Sequence, residues 1–578
     1  MGDPPKLPGI GASTDPMGPP ASRLAVHGAQ LSPPRQAPGK SIDFSRGAPV
    51  PSTRFSVPVP GTREGARRLA VVEPIAESAF GRRRLRLANP ASLAPLGEIE
   101  VANVEDVAQA LERARKAQPE WARTSFRERQ RLLERAVRLL VESQDEFLDV
   151  IVSETGKPRE EAQATEILAA CDALQFYAKR AQRILADRTV PLHLMKTKKL
   201  RISYRPLGVV GIITPWNFPF LLALNPTVQA LLAGNAVLLK PSEVTPFSGR
   251  LVERLLQGAG LPDGVFQLLL GDGETGAALV GAGLDKISFT GSVATGRRVA
   301  EACARQLIPC TLELGGKDPM IVCRDADLER SAAGAVYGAF ANAGQICVST
   351  ERVYVVDEVA DEFTRKVLEK TAALRQGPEG ESDVGAMIDA AQIDVIEEHV
   401  ADARRRGAKV LTGGRRNPAW PGLYFEPTVL TDVTHDMQIM REETFGPVLP
   451  IMRVRDENEA LELANDTRFG LNASVWTRDK RRGAELAKSI RAGSAVVNDC
   501  LLTYAIPESP FGGRGESGIG QVNGEVGLKS YCHAQSIVID RFGAKQEFIW
   551  FPYTRRKGRW LRRITRWVWG TPLGRLLS

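Results

Sequence analysis

The chain of 578 residues is too long for one ordinary core and implies two or three large domains with tails, or about four domain-sized units. Apolar residues make up 43% and charged residues 25%, with 53 Gly and 38 Pro, a globular composition that excludes collagen, fibre and a wholly disordered chain. Lys plus Arg (76) exceed Asp plus Glu (68) by eight, and residues 554–578 alone hold eight basic side chains and no acidic one; the body is balanced at 68 against 68, which argues against a nucleic-acid partner.

In chain order, residues 1–60 carry 13 of the 38 prolines without helical or strand periodicity, and 1–80 reads as a disordered extension. Order is expected from near Leu85: an Asn89-Pro90 turn leads to 97–101, and Asn103 caps a helix from Val104 with Asp106 three residues on. Long helical patterns fill 104–187. Apolar runs of strand length (Val209–Ile213, 236–239, 266–270, 287–289) then alternate with helical segments (227–233, 246–259, 277–281, 295–306), the signature of a parallel sheet covered on both faces. A second series runs from 313 to 497, with strands at 320–323, 352–355, 409–411, Val448–Val454 and 473–476, so the fold class is α/β with two doubly wound domains. Two alternating polar-apolar strands, Lys198–Pro206 and 536–540, lie outside that pattern and read as pairing arms.

The seven cysteines are widely spaced, with no Cys-x-x-Cys pair and no His cluster beside them, so no metal site or disulfide framework is expected. No secretory-type leader and no run of about twenty apolar residues occurs, which predicts a cytoplasmic chain with reduced thiols and at most peripheral membrane contact.

Four segments carry candidate chemistry. Cys347 follows a Gly344-Gln345 break in a helical pattern; it is either buried filler or a thiol at a helix start, where the dipole favours thiolate. Glu313, between leucines and against Gly315-Gly316, is a desolvated general base or a solvated strand-end carboxylate. Asn217, in the loop Thr214-Pro215-Trp216-Asn217-Phe-Pro after a strand, offers an amide suited to an oxyanion hole, or merely caps a turn. Lys240 and Glu243, in Lys-Pro-Ser242-Glu, either reach ribose hydroxyls or form a surface ion pair. Gly271-Asp-Gly-Glu-Thr-Gly276 matches the dinucleotide fingerprint weakly, since no acidic residue ends the next strand; Gly291-Ser292 at a helix start faces a pyrophosphate, caps the helix, or does both.

Taken together, Pro-Trp-Asn217-Phe, Lys240-Pro-Ser242-Glu243, Phe-Thr-Gly291-Ser292, Glu313-Leu314-Gly315-Gly, Gly-Gln-Ile-Cys347, Glu443-Thr-Phe445-Gly-Pro and Pro510-Phe-Gly-Gly closely resemble the NAD(P)-dependent aldehyde dehydrogenase superfamily over about 85–540. The resemblance implies a cofactor domain (81–312, with an oligomerisation arm near 190–207), a catalytic domain (313–497) and a return segment with an oligomerisation strand (498–543) in a homodimer or homotetramer; beyond it lies a basic amphipathic tail (544–578). It implies Cys347 as nucleophile, Asn217 with the Cys347 amide as oxyanion donors, and Glu313 as the base for water. It also implies NAD contacts at Thr214, Pro215, Trp216, Lys240, Ser242, Glu243, Gly271, Gly291, Ser292, Leu314, Gly315, Glu443 and Phe445. Glu243 would repel a 2′-phosphate and favour NAD, while Lys240 beside it accommodates NADP. Glu313 points to a free acid product, not an acyl group passed to coenzyme A.

Against this stand a cysteine hydrolase or acyltransferase, which needs a histidine dyad that none of the five histidines offers by context, and a non-catalytic membrane-associated binding protein. In the tail, Trp560, Leu561, Ile564, Trp567 and Val568 form one stripe opposite Arg559, Arg562, Arg563 and Arg566, the pattern of an interfacial helix on an anionic membrane. A helix docked on the body or on a second subunit is the alternative. The uncharged stretch from Phe218 to Leu224 favours an apolar aldehyde; succinate semialdehyde is the alternative substrate and would require a cationic anchor.

Overall fold

The computed structural model describes residues 71–78, 81–378, 380 and 382–572. Five apolar strands pair in parallel in the spatial order Phe266–Leu268, Ala236–Lys240, Val209–Ile213, Lys286–Thr290 and Cys310–Glu313, and Gly518–Ile519 adds an antiparallel edge. Successive side chains point to opposite faces, so each strand feeds two cores. Val210, Ile212, Val237 and Leu239 join the helices Phe126–Glu142, Ala169–Ile184, Leu221–Ala233 and Pro246–Gly258. Val209, Ile213, Ala236 and Leu238 join Val104–Arg123, Gly273–Gly281 and Val293–Gln306 on the other side. The chain steps outward from Val209–Ile213 to Phe266–Leu268 and then returns to the opposite side at Lys286–Thr290. This leaves a topological switch between the carboxyl ends of Val209–Ile213 and Lys286–Thr290, where open α/β sheets take ligands.

A second sheet runs Lys409–Thr412, Thr428–Thr431, Val448–Val454, Thr350–Val356, Asp318–Val322, Ser474–Trp476, Val496–Val497, with only the first strand antiparallel. Glu313 therefore ends the first sheet instead of opening the second domain, and Gly315-Gly316 bridge the two. The two alternating arms pair with each other: Lys198–Pro206 runs antiparallel to Cys532–Asp540 over its whole length, with Arg188–Val190 on the far side.

The expected 1–80 extension needs correction where it is described. Val72–Ile75 is a strand paired with Arg84–Ala88, and Val71 is buried in the second domain's core, a long-range contact that local composition does not reveal. Residues 1–70, 79 and 80 lie outside the described residues, as do 573–578. The tail forms the helix Arg555–Gly570, capped by Thr554, and no described helix is long and apolar enough to cross a membrane.

Candidate active site

Three segments meet where the sheets adjoin. The first is the loop after Val209–Ile213. It is held by the Thr214 amide on the Lys240 carbonyl (3.1 Å), and Thr214 Oγ1 is buried without a partner. Asn217 is buried; its Nδ2 donates to the Gln345 carbonyl (2.9 Å), leaving one N–H unassigned, and its Oδ1 has no partner. A buried ion pair fixes this loop from behind: Lys157 Nζ meets Glu166 at 3.3 Å and donates to the Asn217 carbonyl at 2.8 Å, while Glu166 accepts from the Leu221 amide at 2.8 Å.

The second segment is the end of Cys310–Glu313. Glu313 is buried and neither carboxylate oxygen has a hydrogen-bond partner. Burial alone pushes its carboxyl well above the ordinary value. Beyond it, a Cβ on Gly316 would lie 2.4 Å from the Cys347 carbonyl oxygen, so only glycine lets the two segments touch.

The third segment carries Cys347 and differs from expectation. No helix begins at the thiol. Helix Leu328–Phe340 ends in a tight turn with Asn342, Ala343 and Gly344 at φ of 49°, 52° and 73°, and the chain passes directly into strand Thr350–Val356. The dipole argument for a thiolate therefore falls. Instead burial, with the carboxyls of Asp318, Glu443 and Glu313 nearby, pushes the half-buried Cys347 thiol up. Its apolar surroundings are Phe218, Ile346, Val348, Leu501, Tyr504 and Phe511.

Other sequence-derived residues surround the switch point. Lys240 and Glu243 pair at 3.0 Å at the end of Ala236–Lys240, with Ser242 buried between them. Gly291 donates its amide to the Glu313 carbonyl (3.0 Å), and Ser292 caps Val293–Gln306 through the Thr295 amide (3.3 Å). The Leu314 amide bonds the Ser517 carbonyl (3.0 Å), Gly315 lies against Glu443, and Glu443 accepts from the Gly316 amide at 2.9 Å. The Trp216 and Phe445 rings meet edge to face at 5.5 Å. Gly271 does not join them. It follows the edge strand Phe266–Leu268, two strands from the switch, and its missing Cβ makes room for Thr275.

Sequence reasoning missed Lys157, Glu166, Lys317, Glu351 and Asn342, whose partners lie in distant segments; the one available signal was the helix stop Gly156-Lys-Pro. Two of the histidines are engaged elsewhere: His399 meets Thr444 Oγ1 at 3.2 Å, and His435 lies against Tyr354 and Asp466. No cluster of metal ligands occurs among the described residues.

The model of the aldehyde dehydrogenase family matches residues 77–537. The chain belongs to that family. It is an enzyme family, and its relatives are dehydrogenases and oxidases of aldehydes. A 4,4′-diapolycopene aldehyde oxidase of Methylomonas sp is 42% identical over 461 residues, covering 79% of this chain and 86% of the relative. A protein of Mycobacterium ulcerans provisionally named an NADP-type succinate-semialdehyde dehydrogenase is 40% identical, covering 77% and 87%. Among solved structures, a Mycobacterium tuberculosis aldehyde dehydrogenase complexed with NAD+ matches with a TM-score of 0.77 at 34% identity, over 80% of this chain and 96% of that one. An Escherichia coli NADP-dependent enzyme matches with a TM-score of 0.77 at 34% identity, over 82% and 99%. The aldehyde-dehydrogenase fold expected from the motifs is thus the fold of the chain.

Proposed function

We propose that this aldehyde dehydrogenase oxidises an apolar aldehyde to its carboxylic acid with NAD(P)+ as hydride acceptor, through a covalent Cys347 adduct. The observation that carries the reading is the meeting of a half-buried thiol, a buried carboxyl with two unpartnered oxygens and a carboxamide with a spare N–H. Cys347 Sγ attacks the aldehyde carbon, its proton passing to solvent as the one proton the overall oxidation releases. Asn217 Nδ2 and the Cys347 amide take the oxygen as charge develops on it. NAD(P)+, when bound, supplies the acceptor for the hydride that leaves this adduct. Glu313, once deprotonated, removes a proton from the water that cleaves the resulting thioester, returning Cys347 as thiol. For the cofactor, the orphaned Thr214 Oγ1 at the switch point, the glycine at Gly291, the Lys240–Glu243 pair and the Glu443–Phe445 side provide a fitting cradle.

Several observations support an apolar substrate. Cys347 packs among Phe218, Ile346, Val348, Leu501 and Phe511. The buried cations nearby, Lys157 and Lys317, are both held by carboxylates, which leaves a succinate-type carboxylate without an anchor there. The name of the Methylomonas relative supports the same choice; the name of the Mycobacterium ulcerans protein favours the alternative. The exposed outer edge of Cys532–Asp540 supports a homo-oligomer.

We further propose cytoplasmic residence with the tail lying on an anionic bilayer. In Arg555–Gly570 the stripe residues Trp560, Leu561, Ile564 and Trp567 are exposed while Val568 is buried, Arg559, Arg562, Arg563 and Arg566 occupy the other side, and the preceding Phe548, Ile549, Trp550, Phe551 and Tyr553 are exposed too. Tryptophans opposite arginines fit headgroups and acyl chains together, whereas a nucleic acid would use only the charged side.

Replacing Cys347 by Ala tests the chemistry: reduction of nicotinamide should fall at least about a thousand-fold with cofactor binding retained. Glu313→Gln should keep a first-turnover burst of reduced nicotinamide and slow the steady state by roughly 10²–10⁴-fold. Residual turnover in the first variant, or loss of the burst in the second, contradicts the assignment.

A further inference from the structure

The Glu313 and Cys347 segments and the Glu443–Phe445 loop share one buried fastener that no motif announces. Glu351 is the second residue of strand Thr350–Val356, four residues after Cys347, and is almost wholly buried. One of its oxygens takes Lys317 Nζ at 2.5 Å and the Thr444 amide at 2.8 Å; the other takes the Phe445 amide at 2.9 Å. Lys317 follows Gly315-Gly316, which holds Glu443, and its Nζ also donates to Thr444 Oγ1 at 3.1 Å. His399 and the Gln392 side chain complete the grip on Thr444. All of this converges on a residue in a costly conformation: Phe445 has φ of 49°, the left-handed region that favours glycine, and its ring meets Trp216.

We propose that Glu351, neutralised by Lys317, is a positioning residue for the reaction: it forces the Phe445 backbone into its left-handed turn and so sets Glu443 and Phe445 against the hydride-accepting end of NAD(P)+. Its two oxygens take the two successive amides of one turn, one each, with the Lys317 ammonium on the first; a carboxamide here would turn an NH2 toward one of these donors, and the burial of Glu351 just after the Cys347 loop ties the cofactor side of the site to the nucleophile. The inference rests on the reading of Cys347, Glu313 and NAD(P)+ above.

The test is Glu351→Gln in the full-length enzyme, which keeps size but removes one acceptor. Three changes are expected: the KM for NAD(P)+ rises at least about ten-fold, a C1-deuterated aldehyde shows a larger kinetic isotope effect than in wild type, and the Thr444–Phe445 amides exchange hydrogen faster. Hydrolysis of an activated aryl ester, which uses Cys347 and Glu313 but no hydride acceptor, should change by less than about three-fold. Unchanged cofactor KM and isotope effect overturn the proposal, as does ester hydrolysis falling in step with aldehyde oxidation. Should the variant not fold, exchange in the wild-type enzyme decides: strong protection of both amides supports the clamp and rapid exchange overturns it. Because exchange does not depend on turnover, failure of the clamp is told apart from failure of the cysteine chemistry.

Discussion

Burial without any hydrogen-bond partner favours the neutral acid of Glu313 over its anion and raises its pKa well above the ordinary carboxyl value. Deacylation needs the anion. If that step limits turnover, kcat should climb with pH through a pKa well above an ordinary glutamate's, and Glu313→Gln should flatten the profile; a profile that stays flat in wild type would reject Glu313 as the base. His399 gives the opposite sign for stability. Burial and Lys317 lower its pKa from 6.5 to about 4, so between those values the unfolded chain binds a proton that the fold refuses. Stability is expected to fall by about 3 kcal/mol as pH drops from 6.5 to 4, and His399→Asn should remove that part of the loss in urea melts taken across the range. The site was legible to the extent that its residues sit in punctuated local strings: Cys347 after Gly344-Gln345, Asn217 between prolines, Glu313 before glycines. The Lys157–Glu166 and Lys317–Glu351 pairs were not, because a buried ion pair across distant segments leaves no local pattern. Gly271 is the converse case, a local pattern whose place after an edge strand, two strands from the switch, only the sheet order shows.

The elements repeat that contrast between local and long-range information. Asn103 and Asp106 form the expected capping box, each side chain taking the other's amide, and Lys198–Pro206 is a strand with the bounds its alternation predicts. Pro226, by contrast, suggests a helix starting at Thr227, yet the helix is Leu221–Ala233 with every residue buried; packing outweighs the proline's cost of about 3 kcal/mol. Asn103→Ala should therefore cost only about 1 kcal/mol and leave turnover intact. Gly344→Ala should behave differently. Its φ is 73°, and the added Cβ would lie 2.1 Å from the Gly446 carbonyl oxygen, part of a loop held by other bonds. Relief requires the Cys347 loop and the Glu443–Phe445 loop to separate, so aldehyde oxidation should drop more than a hundred-fold even if the melting temperature falls only a few degrees. Equal losses of activity in the two variants would show that the contact between loops is not what sets the geometry.

At the scale of the whole molecule the charge is divided unequally: a balanced body, and a tail of 25 residues with eight cations and no anion. A balanced second copy gives such a tail little attraction, whereas an anionic bilayer attracts each nearby cation by about 1 kcal/mol and accepts the tryptophan stripe as well. The full-length enzyme should therefore sediment with vesicles containing anionic phospholipid, release at high salt as the charges are screened, and lose binding on truncation after Tyr553. Every residue placed in the active site precedes the tail, so the truncated enzyme should oxidise a short soluble aldehyde within about two-fold of the full chain, yet slow on a long-chain aldehyde dissolved in vesicles. Undiminished vesicle binding by the truncated enzyme would reject the membrane reading. Truncation that changes the oligomer size, with no effect on vesicle binding, would make Arg555–Gly570 a contact between subunits, and the loss of rate on the vesicle-borne aldehyde would then not be expected.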